Sequence, residues 1–151
     1  MSATVSFRSA DAGDLDALVA MMRAFYAHEA IAFDEKIARA AMDALLREPA
    51  LGRVWLVLDG ARTGGYVALT LGWSLEYGGR DAFLDEIFLD ESLRGRGVGE
   101  RAVELVTGAC RTLGVRALHL EVERVNTRAQ ALYRKQGFVD HDRYLLTKWL
   151  V

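Results

Sequence analysis

Proline occurs once in this chain, cysteine once and histidine three times. The one cysteine, Cys110, cannot close an intramolecular disulfide and leaves no cysteine-built zinc site, so the expectation is a reducing, cytoplasmic setting and no metal. No run approaches the ~20 uninterrupted apolar residues of a membrane-spanning helix. The first 16 residues hold no apolar segment ahead of a small-residue cleavage site, so neither secretion nor insertion in a membrane is expected. Excess charge of either sign is missing too: 19 Lys and Arg stand against 21 Asp and Glu, for a net charge of -2. Such a chain has no global field with which to grip nucleic acid, and any binding of a polyanion must be local.

What remains is 52% apolar and 151 residues long, enough to bury a core without staples. No linker, repeat or low-complexity block divides it, and one domain over 1–151 is expected. Residues 4–8 alternate as a first strand. Asp11 and Asp14 are helix-start residues, and Leu15, Leu18, Val19, Met22 and Tyr26 follow at helical spacing along one face. A second helical pattern begins at Asp34, carries Ile37, Ala41 and Leu45, and must stop by Pro49. Extended patterns occupy 54–59, 65–73 and 82–89, separated by glycine turns, and predict an antiparallel meander. A helix with Val98, Ala102, Val103, Val106 and Cys110 on its apolar stripe ends at Gly114. A strand over 115–122, a helix from Asn126 to Gly137, and a closing strand over 142–151 paired near Phe138 complete the order βααβββαβαββ, a mixed α/β domain.

Residues 83–113 organise this plan as strand, loop and helix. The loop Arg94-Gly95-Arg96-Gly97-Val98-Gly99 combines small residues with a following helix N-terminus, an arrangement suited to an anion and most often a phosphate. A P-loop would need Gly-Lys-Ser/Thr where Val98, Gly99 and Glu100 stand. A dinucleotide fingerprint would need a third glycine where Glu100 stands, although Glu121 in the next strand keeps a nicotinamide-binding protein as a poor third reading.

The form Arg-x-x-Gly-x-Gly, met by Arg94, Gly97 and Gly99, resembles the pyrophosphate loop of the GNAT superfamily of N-acetyltransferases. A second motif, Asn126-x-x-Ala129-x-x-Leu132-Tyr133-x-x-x-Gly137-Phe138, is similar to that family's other signature, in the expected order. The likeness covers about 82–138 by motif and nearly the whole chain by element order. It implies the acyl-CoA N-acyltransferase fold, acetyl-CoA as cosubstrate, and direct acetyl transfer to a primary amine.

The resemblance also distributes roles. The pyrophosphate would lie on the backbone of Arg94, Gly95, Arg96, Gly97, Val98, Gly99 and Glu100. Backbone near Ile87, Phe88 and Leu89 would hold the thioester carbonyl and the pantetheine arm, and Asn126, Ala129 and Tyr133 would complete the cofactor site. Tyr133 matches the tyrosine that protonates the departing thiolate. Asn126 reads equally well as a helix cap. Asp85 and Glu86 are adjacent acids in an apolar strand, where an ionised carboxylate is expensive to bury without a partner. They would serve as base or water holder (Glu86) and acceptor contact (Asp85), with salt bridges to Arg80 or Arg116 as the structural alternative. Strand alternation sends them to opposite faces unless a bulge intervenes. In the resembling branch that acetylates diamines and other polycationic amines the two acids stand in the reverse order. Acids at Glu29, Asp34, Glu35, Glu121 and Glu123 add to the expectation of a small cationic acceptor: polyamine, aminoglycoside or lysine-like amine. The competing class is a non-catalytic acetyl-CoA-binding regulatory domain. The apolar C-terminal segment also allows a homodimer.

Overall fold

The computed structural model describes residues 4–151. Two compact units divide after Glu121, Met1–Glu121 and Val122–Val151, and each is described by itself. In the first, β1 (Val5–Ser9) leads through a short 3-10 turn to α1 (Leu15–His28) and α2 (Glu35–Arg47). The meander follows as β2 (Gly52–Asp59), β3 (Arg62–Ser74) and β4 (Gly79–Leu89), then α3 (Val98–Thr112) and β5 (Ala117–His119).

The helix starts lie where the acidic residues predict them. Asp11 forms a reciprocal capping box with Asp14, and Asp34 accepts from the Ile37 amide at 3.1 Å to open α2. Each such cap satisfies amides that the helix leaves unpaired, worth about 0.5–2 kcal/mol. Gly114, at φ 72°, follows the end of α3 in the left-handed region.

The sheet has the order β1-β2-β3-β4-β5. The first three pairings are antiparallel and β4 pairs β5 in parallel. A parallel neighbour requires a crossover, and α3 supplies it. One face of the sheet packs under α1 and α2 through Leu18, Met22, Ala38, Met42, Val54, Leu56, Tyr66, Ala68 and Phe88. Val57, Val67 and Leu69 alternate to the other face and are wholly buried, as are Val103 and Val106 of α3. Arg101 ties α3 across that face to β1, donating to the Val5 carbonyl at 3.0 Å. Cys110 is buried on the α3 stripe, a packing residue whose thiol burial pushes upward.

The second unit holds α4 (Thr127–Lys135), opened by Asn126 and followed by Gly137 at φ 99°. Two expectations change. The strand over 115–122 shortens to Ala117–His119, which leaves Glu121 outside it. The closing strand over 142–151 is absent: that stretch carries no regular structure, and Tyr144, Leu145, Leu146, Trp149 and Leu150 are exposed. A strand exists only where a neighbour takes its amides and carbonyls. Alternating apolar residues record a readiness to pair without naming the partner.

Candidate active site

β4 departs from regular pairing at its acids. Ala68 and Leu69, consecutive on β3, face Glu86 and Leu84, which are two apart on β4, so Asp85 is the extra residue of a β-bulge. The bulge that could override strict alternation is therefore present, and Glu86 shares the face of Ala68 beneath α1 and α2. Pairing with β5 stops at Phe83, so among the described residues the edge of β4 from Leu84 to Leu89 has no ladder partner on that side. Ile87 and Leu89 lie along this edge half-buried, whereas Phe88 points its ring into the core. An unpaired edge offers backbone donors and acceptors to an extended ligand.

The Glu86 carboxylate is held from two elements. The Tyr26 hydroxyl of α1 donates to Oε2 at 2.6 Å, and the Tyr66 hydroxyl of β3 donates to Oε1 at 2.7 Å. Aromatic rings surround the pair of bonds: Tyr26 meets Phe33 edge-on at 5.6 Å, and Phe25 stands 6.1 Å from Phe88 and 6.4 Å from Tyr66. Burial pushes the Glu86 carboxyl above its ordinary range; the two tyrosine bonds pull it back, and the charge of Asp85 adds to the rise. Burial likewise raises Asp85, although its side chain reaches the surface, and that exposure limits the effect. Both tyrosines are raised, by burial first and then by the carboxylate, and remain neutral donors. Arg80 and Arg116 do not pair with these acids. They donate to the carbonyls of Leu113 and Tyr77.

Tyr26 and Tyr66 were legible in the sequence only as apolar-pattern residues. Their signal was indirect, since a tyrosine placed in a core must bring its hydroxyl to a polar partner. Of the other acids, Asp34 caps α2 and Glu35 pairs with Arg23 at 2.7 Å. His119 stands beside Asp81 at 3.2 Å and pairs in register with Phe83 of β4, two residues before the bulged Asp85.

The glycine loop follows β4 through a 3-10 turn, Glu91–Leu93, anchored by the wholly buried Leu93. Gly95 (φ 71°) and Gly97 (φ 74°) both adopt the left-handed region, and a side chain at either would meet nothing within 4 Å. Glycine is thus demanded by conformation, and the backbone of the loop faces open space. Gly97 is the N-cap of α3, so the amides of Val98, Gly99 and Glu100 belong to an uncapped first turn. Arginine side chains brace the loop from within: Arg94 donates to the Leu89 carbonyl at 3.1 Å, and Arg96 to Asp59 at 3.0 Å, which holds the Asp59 carboxyl below the usual range. These features fit a pyrophosphate, which needs exposed amides at a helix start. Among the described residues no cluster of three or more His, Cys, Asp or Glu side chains is arranged for a metal ion. No helix there is long and apolar enough to cross a membrane.

In the second unit Asn126 accepts from the Ala129 amide at 3.1 Å and so caps α4. Tyr133 is half-buried and meets Phe138 edge-on at 5.8 Å, and burial raises its hydroxyl above the ordinary range.

Against known proteins, the chain is 37% identical over 89 residues to a mycothiol acetyltransferase of Jonesia denitrificans, a match covering 59% of this chain and 27% of that protein. It thus spans about a quarter of that curated relative's length. Its fold overlays an integron cassette protein from the mobile metagenome of Cole Harbour Salt Marsh at a TM-score of 0.85 and 39% identity, covering 96% of this chain and 90% of that one. A predicted acetyltransferase of Clostridium acetobutylicum, solved with acetyl-CoA, shares the fold at a TM-score of 0.82 and 17% identity, with 96% of each chain covered. A sequence model of the acetyltransferase (GNAT) family matches residues 17–138, and the chain belongs to that family.

Proposed function

We propose that the chain is an N-acetyltransferase that moves the acetyl group of acetyl-CoA to the primary amine of a small cationic acceptor. The observation that carries this reading is the Glu86 carboxylate, held by two tyrosines beside a bulged strand with an unpaired edge. The free amine attacks the thioester carbonyl, the N–C bond forms and the C–S bond breaks. The amine gives up its proton to Glu86, directly or through one water, and the departing thiolate takes a proton from Tyr133. A Tyr133 hydroxyl raised by burial stays protonated at neutral pH, as that role requires. Asp85, carrying charge at the surface of the bulge, is the contact for a second positive group on the acceptor. Ile87, Phe88 and Leu89 supply backbone to the thioester and pantetheine. The loop from Arg94 to Glu100 holds the pyrophosphate, and Asn126 and Ala129 add to the pantetheine site.

The family match spans residues 17–138, which supports one functional domain over both units. The exposed apolar tail supports a homodimer, and the lone cysteine a cytoplasmic setting. Release of free thiol from acetyl-CoA, measured across polyamines, aminoglycosides and lysine-like amines, tests the reading. Turnover with a dicationic amine and little with a neutral one is expected. Tight acetyl-CoA binding without turnover on any amine would instead mark a regulatory binding domain.

A further inference from the structure

Glu86 has two tyrosine partners, and they differ in kind. Tyr66 is wholly buried and belongs to β3, the strand hydrogen-bonded to β4, so it is fixed to the same sheet as the carboxylate. Tyr26 is half-buried and arrives from α1, 60 residues away in sequence. Its ring is set between Phe25 (5.8 Å) and Phe33 (5.6 Å), both edge-on, so its hydroxyl reaches Glu86 from an orientation the aromatic neighbours impose. Phe33 is held in turn by the Arg23 guanidinium, 4.9 Å above its ring, and Arg23 pairs with Glu35 at the start of α2. The connection between α1 and α2 thus sets the position of one Glu86 oxygen.

We propose that Tyr26 is a positioning residue for acetyl transfer, holding Glu86 Oε2 in place at the bulge of β4. The proposal rests on the reading of Glu86 as the base. A half-buried carboxylate whose partners are two tyrosines is poorly solvated, and each hydroxyl donated to it replaces a lost water. The titratable groups acting on Glu86 are Tyr26 from α1, Tyr66 from β3 and Asp85 from β4; the first two favour its charge and the third opposes it. Loss of the Tyr26 hydroxyl therefore moves the carboxyl further upward and leaves fewer enzyme molecules with an ionised base at a given pH.

Tyr26→Phe keeps the ring and its aromatic contacts while removing the donor. Carboxyl-carbon NMR of the full chain, with the Glu86 signal assigned by its loss in Glu86→Gln, should show the apparent pKa of Glu86 rising by about one to two units in Tyr26→Phe. The acid limb of kcat/KM, followed by thiol release with acetyl-CoA and 1,4-diaminobutane or the best amine of the panel, should rise by the same amount. Activity should then fall about ten- to a hundredfold below the limb and recover above it, with the KM for acetyl-CoA unchanged. An unmoved Glu86 titration and an unmoved limb, in a variant that melts like the parent, would overturn the role of Tyr26 while Glu86 stays the base. Full activity of Glu86→Gln would overturn the base itself, and with it any catalytic role for Tyr26, even if the Tyr26→Phe titration moves.

Discussion

Glu86, the proposed base, works against the fold that carries it. Its carboxyl is raised by burial from an ordinary value of 4.5, so the folded chain keeps that proton to higher pH than the unfolded chain does. Stability from this group is therefore present at low pH and lost as pH rises through the folded pKa. Glu86→Gln should melt higher than the parent at neutral pH, by scanning calorimetry, with the difference vanishing below about pH 4, where the carboxyl is protonated in both states. Asp14 behaves oppositely. Its bond to Arg8 at 2.9 Å holds it below the usual range, and its contribution appears above the unfolded pKa and disappears as pH falls through the folded one. Tyr133 tests the other half of the proposed chemistry. Tyr133→Phe should lower kcat by about 10²–10⁴-fold, the span of a positioned general acid, while equilibrium dialysis finds acetyl-CoA binding within a few fold of the parent. Unchanged turnover would remove Tyr133 from the reaction.

At the scale of elements, the loop between β4 and α3 depends on what lies beneath it and on the backbone it adopts. Leu93 is wholly buried, and its Cδ1 lies so close to Gly64 that a side-chain carbon there would stand 2.7 Å away. Leu93→Ala should cost about 2–5 kcal/mol by denaturant unfolding and raise the KM for acetyl-CoA, because the 3-10 turn that starts the loop loses its anchor. Gly97→Ala acts through conformation alone. At φ 74° and with open space around it, alanine meets no clash yet must occupy the left-handed region, costing about 1–2 kcal/mol. The expected result is weaker acetyl-CoA binding by about tenfold, read by calorimetric titration, with the far-ultraviolet circular dichroism unchanged.

The whole molecule carries one unresolved debt in its apolar surface. From Val139 onward most large apolar side chains are exposed, including Trp149 at 84% and Leu146 at 88%. Isolated exposed apolar residues are ordinary, but a run of them in a segment without regular structure is apolar surface open to a partner. The proposed homodimer predicts that the full chain runs at twice its monomer mass by light scattering after gel filtration. A chain ending at Phe138 should then run as a monomer. A monomeric full chain at micromolar concentration would dismiss the dimer.

Local chemistry alone determined much of this protein. Asp11, Asp34, Pro49, Gly114 and Gly137 marked helix ends because caps and breakers act within a few residues of themselves, and the alternating runs marked β2, β3 and β4 for the same reason. The glycine loop was legible because left-handed backbone and exposed amides require glycine at fixed spacing. What the tertiary structure decided depended on partners distant in sequence. Which way Asp85 and Glu86 face was settled by a one-residue mismatch between β3 and β4, a property of two strands together. That Tyr26 and Tyr66 meet on one carboxylate follows from the packing of α1 on the sheet, since an apolar stripe records that a tyrosine is inside and leaves unsaid what its hydroxyl touches. The tail over 142–151 failed to form its strand for the same physical reason: pairing is a relation between two segments, and a sequence pattern describes one.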